Sequence, residues 1–155
     1  MVVADEFRDG NVPAHQALLP VAKRGFQALP ETVRERYFRG DSACDEESLL
    51  TWLSDEKRRG GAQGFIGFAV SVRMNPGLRE EIAATAEAQW QPYSDDSAAI
   101  KECAAVDYVL EEEGAQNRYR EPMRYVAIRI RKKPGMLFAD GSAVKYFAVV
   151  TNLWD

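Results

Sequence analysis

Apolar residues along this chain fall at helical, continuous or alternating spacing, and each spacing names an element. Leu18, Leu19, Ala22, Phe26 and Leu29 recur at helical intervals, so residues 15–29 predict a helix that starts late or kinks at Pro20 and stops at Pro30. Residues 33–38 read as a strand. Asp45 then stands where a helix cap belongs, with Glu46 and Glu47 suited to a first turn and Lys57, Arg58 and Arg59 to a last one. Leu49, Leu50, Trp52 and Leu53 form the face to be buried. Residues 65–72 are a near-continuous apolar run, as in a strand covered on both faces. Strand, helix and strand over residues 33–72 make a βαβ unit, whose strands should be parallel and its crossover right-handed.

Asn75–Pro76 is a helix start, a capping residue followed by proline at the first helical position, and predicts a helix over 76–90. Residues 91–97 read as a polar link. Beyond it the segments 106–113, 123–132 and 144–152 alternate or run apolar between Gly114, Pro134–Gly135 and Asp140–Gly141, as hairpin-connected antiparallel strands do. Residues 1–7 read as a further short strand. The expected class is α/β. An α/β part over 1–93 is followed by a β-rich part over 94–155 of the same domain.

A chain of 155 residues, 46% of them hydrophobic, can bury the core of one such domain. Its 24 acidic residues outnumber 20 basic ones, for a net charge of −4, which excludes a uniformly basic nucleic-acid coat but not a local basic patch. No apolar run nears the roughly 20 residues that cross a bilayer, and the first residues run Val2, Val3, Ala4, Asp5, Glu6 rather than as a signal peptide. No membrane partner and a cytoplasmic location are expected. The two cysteines, Cys44 and Cys103, have no paired spacing, so neither a structural zinc nor a disulfide framework is expected.

Two places carry candidate chemistry. Asp41 follows a predicted strand inside a βαβ unit, and ligands of parallel sheets bind beyond the carboxyl ends of strands. A carboxylate there suits Mg²⁺, a cation that prefers hard oxygen ligands. The same residue type also caps turns and helices, and the capping role has the stronger prior on position alone. The second place is basic. Arg118, Arg120, Arg124, Arg129, Arg131, Lys132 and Lys133 face Glu121 alone across 118–133, while 104–113 carries Asp107 and Glu111 to Glu113 with no base. With Val126, Ile128 and Ile130 alternating against the arginines, one side of that strand reads as core and the other as cationic. The cationic side either grips phosphates or pairs with the acidic strand beside it. His15 is the only histidine, so no Ser/His/Asp or Cys/His triad can be built, and Gly60 to Gly64 lacks the lysine and hydroxyl of a phosphate loop.

Tyr37-Phe38-Arg39-Gly40-Asp41-Ser42-Ala43 and the helix after it resemble bacterial insertion-sequence transposases of the DDE type. The likeness is to the group whose ribonuclease-H-like domain carries a β-rich insertion. Asp5 to Pro13, the run from Phe65 to Val70 with Asn75 and Leu78 after it, and Ala148 to Asn152 resemble the same group's flanking strands and turns. The resemblance implies a partial ribonuclease-H-like mixed sheet, strand order 3-2-1-4-5, in which 1–7, 33–38 and 65–72 are its third, fourth and fifth strands. It implies three carboxylates holding two Mg²⁺ ions for phosphodiester hydrolysis and strand transfer. Asp41 matches the second of the three, with Arg39 and Ser42 beside it. The first belongs to a strand upstream of the matched segment and the third to a helix downstream of the insertion, so the chain reads as a central fragment, inactive alone. The implied partners are transposon-end DNA, met by Arg124, Arg129, Arg131, Lys132 and Lys133, and other chains through exposed sheet edges. Two other readings stand beside it: a non-catalytic DNA-contacting or assembly module working through residues 124–133, and a small stand-alone α/β metal-dependent hydrolase built on Asp41.

Overall fold

The computed structural model describes residues 18–59, 61–108 and 123–153. In chain order these form α1 (Leu18–Gln27), β1 (Tyr37–Gly40), a 3₁₀ turn (Ser42–Cys44), α2 (Glu47–Ser54), β2 (Gly67–Ser71), α3 (Pro76–Ala84), a second 3₁₀ turn (Glu87–Gln89), β3 (Gln91–Asp95), β4 (Ala99–Val106), β5 (Arg124–Lys132) and β6 (Val144–Thr151). The fold is mixed α/β. All six strands join one sheet in the order β1-β2-β6-β5-β4-β3. β1 and β2 are parallel, as the βαβ pattern requires, and every other neighbouring pair is antiparallel. Among the described residues no helix is long and apolar enough to cross a membrane.

β6 joins the two parts of the chain, pairing with β2 on one side and β5 on the other. Its last residue and the one after it lock the first of these pairings through side chains. Thr151 Oγ1 donates to the carbonyl of Phe68, while Asn152 accepts from the Phe68 N–H at 2.8 Å and donates to the Ile66 carbonyl at 2.9 Å. The core lies on one face of the sheet. Leu49, Leu50, Trp52 and Leu53 of α2, with Leu78 and Ile82 of α3, bury against Phe68, Val70, Val150, Ala148, Tyr125 and Ala127. Each fully buried aliphatic side chain contributes about 1.5–3 kcal/mol. The α1 stripe of Leu18, Leu19, Ala22 and Phe26 packs on this core from outside, with the Phe26 ring 5.8 Å from Trp52.

Several expected boundaries move. The first strand is Tyr37–Gly40 rather than 33–38. α3 starts as expected, with Asn75 accepting from Leu78 N and proline in the first turn, but it ends at Ala84 and a 3₁₀ turn follows. The polar link at 91–95 is the edge strand β3, whose Pro92 is tolerated because an edge leaves one side of the ladder unused. The strand expected at 106–113 ends at Val106 and begins at Ala99, and 109–113 lies outside the described residues. So do His15, the strand expected at 1–7, and Arg118, Arg120 and Glu121.

The largest correction concerns β5. Tyr125, Ala127 and Arg129 point to the helix-covered face, and Val126, Ile128 and Ile130 to the other, the reverse of the orientation their polarity suggests.

Candidate functional site

The carboxyl ends of β1 and β2 lie side by side, because the strands are parallel. Asp41 is the first residue beyond β1. Its Oδ1 accepts from Ala43 N at 2.9 Å and so caps the 3₁₀ turn that follows. Gly40 makes this turn sterically feasible. A Cβ there would stand 2.5 Å from Cys44 Cβ and 2.7 Å from its Sγ, so only glycine lets the turn fold back on the end of β1. The Arg-Gly-Asp-Ser run is thus a strand end, a close approach and a cap.

Two further contacts bolt the turn to the end of β2. Asp45 Oδ2 accepts from Arg73 N at 2.8 Å, and Arg73 Nε donates to the Ser42 carbonyl at 3.1 Å. Asp45 therefore does not cap α2, whose N-cap position is Glu46 and has no side-chain cap bond. Nearby, Asn75 Nδ2 donates to Tyr108 Oη at 2.9 Å. Asp41 and Ser42 are exposed, and Cys44 is half-buried. Burial, and secondarily the Asp41 charge, push the Cys44 thiol pKa up, so it is a poor nucleophile. Arg39 is exposed, and strand alternation sends it to the face opposite Phe38. The arrangement offers an accessible carboxylate on a rigid turn with a guanidinium tethered beside it. Asp41 can supply one hard oxygen ligand. Among the described residues no three His, Cys, Asp or Glu side chains converge into a group able to hold a metal ion.

The basic residues of β5 and its end are not brought together. Arg129 and Arg131 lie on the covered face and Arg124 and Lys132 on the other, three strands from β1, or about 14 Å at the usual strand spacing. Arg129 is only 6% exposed. Its Nε donates to Glu102 at 2.8 Å, its two terminal nitrogens donate to Glu87 at 2.7 and 2.8 Å, and its guanidinium lies 4.4 Å from the Trp90 ring centroid. Arg131 donates to the other oxygen of Glu102 at 2.7 Å. Lys133 meets Asp95 at 2.6 Å. The Glu87 hydrogen bonds above all, with help from Glu102, raise the Arg129 pKa well beyond the usual range, and the same bonds lower that of Glu87. The basic strand thus pairs with carboxylates, but these are Glu87 and Glu102 rather than Glu111 to Glu113, which lie outside the described residues.

Sequence reasoning does not single out Arg73 at the site, and away from the site it places Arg58 in the last turn of a helix that in fact ends at Ser54. Arg73 closes the apolar run 65–72, and a parallel partner strand beside Asp41 was the available signal for it. Arg58, fully buried, donates to the carbonyls of Trp52, Leu53, Ala62 and Gly64 and so closes α2 and the loop to β2. Comparisons of the chain with models of protein families, with curated proteins and with solved structures find no match.

Proposed function

We propose that this chain is the central part of the catalytic domain of a DDE-type transposase, ribonuclease-H-like in fold, and that Asp41 is one of its three metal-binding carboxylates. One observation carries the reading: an exposed carboxylate stands at the carboxyl end of a parallel strand, on a turn fixed by the Gly40–Cys44 approach and by Asp45 and Arg73. Parallel sheets bind ligands at that end. β1 is also the end strand of the described sheet, which leaves its outer edge for the strand that the resemblance puts there with the first carboxylate. Two like charges brought that close favour a divalent cation between them. The described residues alone do not form such a site, so no metal-dependent step is assigned to them. Their contribution is to hold the Asp41 carboxylate in place, with Arg39 and Ser42 flanking it. When all three carboxylates are present, two Mg²⁺ ions would activate water and then a DNA 3′-hydroxyl.

The test places the chain between segments carrying the other two carboxylates, sought in the DNA flanking its reading frame, and measures Mg²⁺-dependent cleavage and joining of transposon-end DNA. Asp41→Asn should abolish both reactions while leaving fold and DNA affinity near wild type, since Asn caps about as well as Asp. Asp45→Asn can still accept from Arg73 N and should do little. If Asp41→Asn keeps activity within about tenfold, about 1.4 kcal/mol of barrier, Asp41 is not a metal ligand.

A further inference from the structure

The sheet face turned away from the helices has a pattern of its own, and the strand register assembles it in rows. Ala105, Val126 and Val149 stand side by side on β4, β5 and β6, and Cys103, Ile128 and Phe147 form the next row. Beyond them Lys101 and Lys145 flank Ile130, with Lys132 following. On the opposite side, Arg124 begins a row that passes through Thr151 and Ala69 to Arg39. An apolar band two rows deep is thereby bounded by cations at both ends. No strand position of this face carries a carboxylate among the described residues, although the whole chain has a net charge of −4. Lys101 and Lys145 each meet a loop acid, Asp96 at 3.9 Å and Asp140 at 2.9 Å, which offsets part of the charge, and Arg124 has an interaction of its own. All three described helices pack on the core of the other face. Here Phe147 is 47% exposed and Ala105 is exposed too.

We propose that this face docks an amphipathic helix of a protein partner, its apolar stripe seated on Val126, Ile128, Phe147 and Val149 and its flanks carrying carboxylates. Charge sign selects the partner. A second copy laid face to face would set cations on cations, which disfavours self-pairing. Duplex DNA would answer the cations but leave the aliphatic rows wet, and within those rows only Phe147 offers an aromatic surface on which a base can stack. The dimensions also suit a helix. Six residues separate the Arg124 row from the Ile130 row, about 20 Å of strand. A helix with its side chains is about 10–12 Å across, which leaves about 4–5 Å on the lysine side for Lys101 and Lys145 to lean across to acidic side chains on its flank. The proposal is independent of the role of Asp41.

The experiment titrates the whole chain with a fluorescent synthetic helix that carries a leucine stripe flanked by glutamates. The same helix with lysine flanks, and a duplex DNA, are run in parallel. The glutamate helix should bind, more weakly as salt rises, and shift the methyl resonances of Val126, Ile128, Ile130 and Val149. Phe147→Ser should weaken it about tenfold, and so should Lys101→Glu combined with Lys145→Glu. Phe147 is half exposed, so its variant should keep the wild-type circular dichroism, and Ile128→Thr gives a second probe of the band if it does not. Equal binding of the lysine helix, absence of glutamate-helix binding, or duplex DNA binding lost in these same variants would each overturn the proposal. So would a homodimer that Phe147→Ser dissociates.

Discussion

Arg58→Met measures how much of the molecule depends on one buried guanidinium. Nε and one terminal nitrogen donate to Trp52 and Leu53 carbonyls at 2.7 and 2.9 Å, inside the protein, at the end of a helix where carbonyls lack intrahelical partners. The other terminal nitrogen reaches Ala62 and Gly64 at 2.8 and 2.6 Å, closer to solvent, where water can replace it. Hydrogen bonds from a charged donor are worth about 1.5–3 kcal/mol each, so the two buried ones total about 3–6 kcal/mol. Against this stands the desolvation of the cation, the main reason its pKa is lowered, since no carboxylate hydrogen-bonds it. Methionine of similar length escapes that cost, so the expected loss is at the low end, about 3 kcal/mol, a large share of the 5–15 kcal/mol typical of a domain. Arg58→Lys keeps the charge but not the planar fork, and should lose about 2 kcal/mol. Urea unfolding followed by far-UV circular dichroism reads both, provided the m-value is unchanged. A Met variant within about 1 kcal/mol of wild type would mean that these bonds only offset the burial of the charge they belong to.

Gly40→Ala should cost about 1–3 kcal/mol through overpacking against Cys44, and Cys44→Gly should recover part of it in thermal unfolding; no recovery would locate the strain elsewhere. Arg129→Met leaves Glu102 buried with Arg131 alone and should cost about 3–5 kcal/mol. Adding Glu102→Met should make the double variant more stable than the single, and a double that is worse would contradict this account. Glu87 has its pKa lowered below its ordinary 4.5 by Arg129. Its stabilisation is therefore complete above that ordinary value and fades as pH falls through the folded-state pKa. Glu87→Gln should flatten the decline of urea midpoints as pH falls below 4.5, and a slope equal to wild type would show that the pair adds nothing.

The parallel β1–β2 pair was legible because 65–72 is continuously apolar and the α2 stripe of Leu49, Leu50, Trp52 and Leu53 stands between the strands. Asp41 was legible as a strand-end carboxylate, and its cap geometry follows from the residue type. The orientation of β5 was not legible. Isoleucines at 128 and 130 against arginines at 129 and 131 argue for burying the isoleucines. Arg129 goes inward only because Glu102, 27 residues earlier, and Glu87, 42 residues earlier, neutralise it there over the Trp90 ring. Alternation along one strand carries no information about such distant partners. β3 is illegible for a different reason: Gln91, Pro92 and Tyr93 are all exposed, so the strand has no buried side to mark it.

The position of β6 has a consequence for how the molecule assembles. It follows all the other described strands yet lies in the middle of the sheet, and Thr151 and Asn152 bond Phe68 across more than 80 residues. During synthesis the β1–β2 pair and the β3–β5 meander emerge first, each with an open edge where β6 belongs. They cannot join until residue 151 has left the ribosome. Closing loops that long is slow, and open edges held through that delay are templates for pairing between nascent chains.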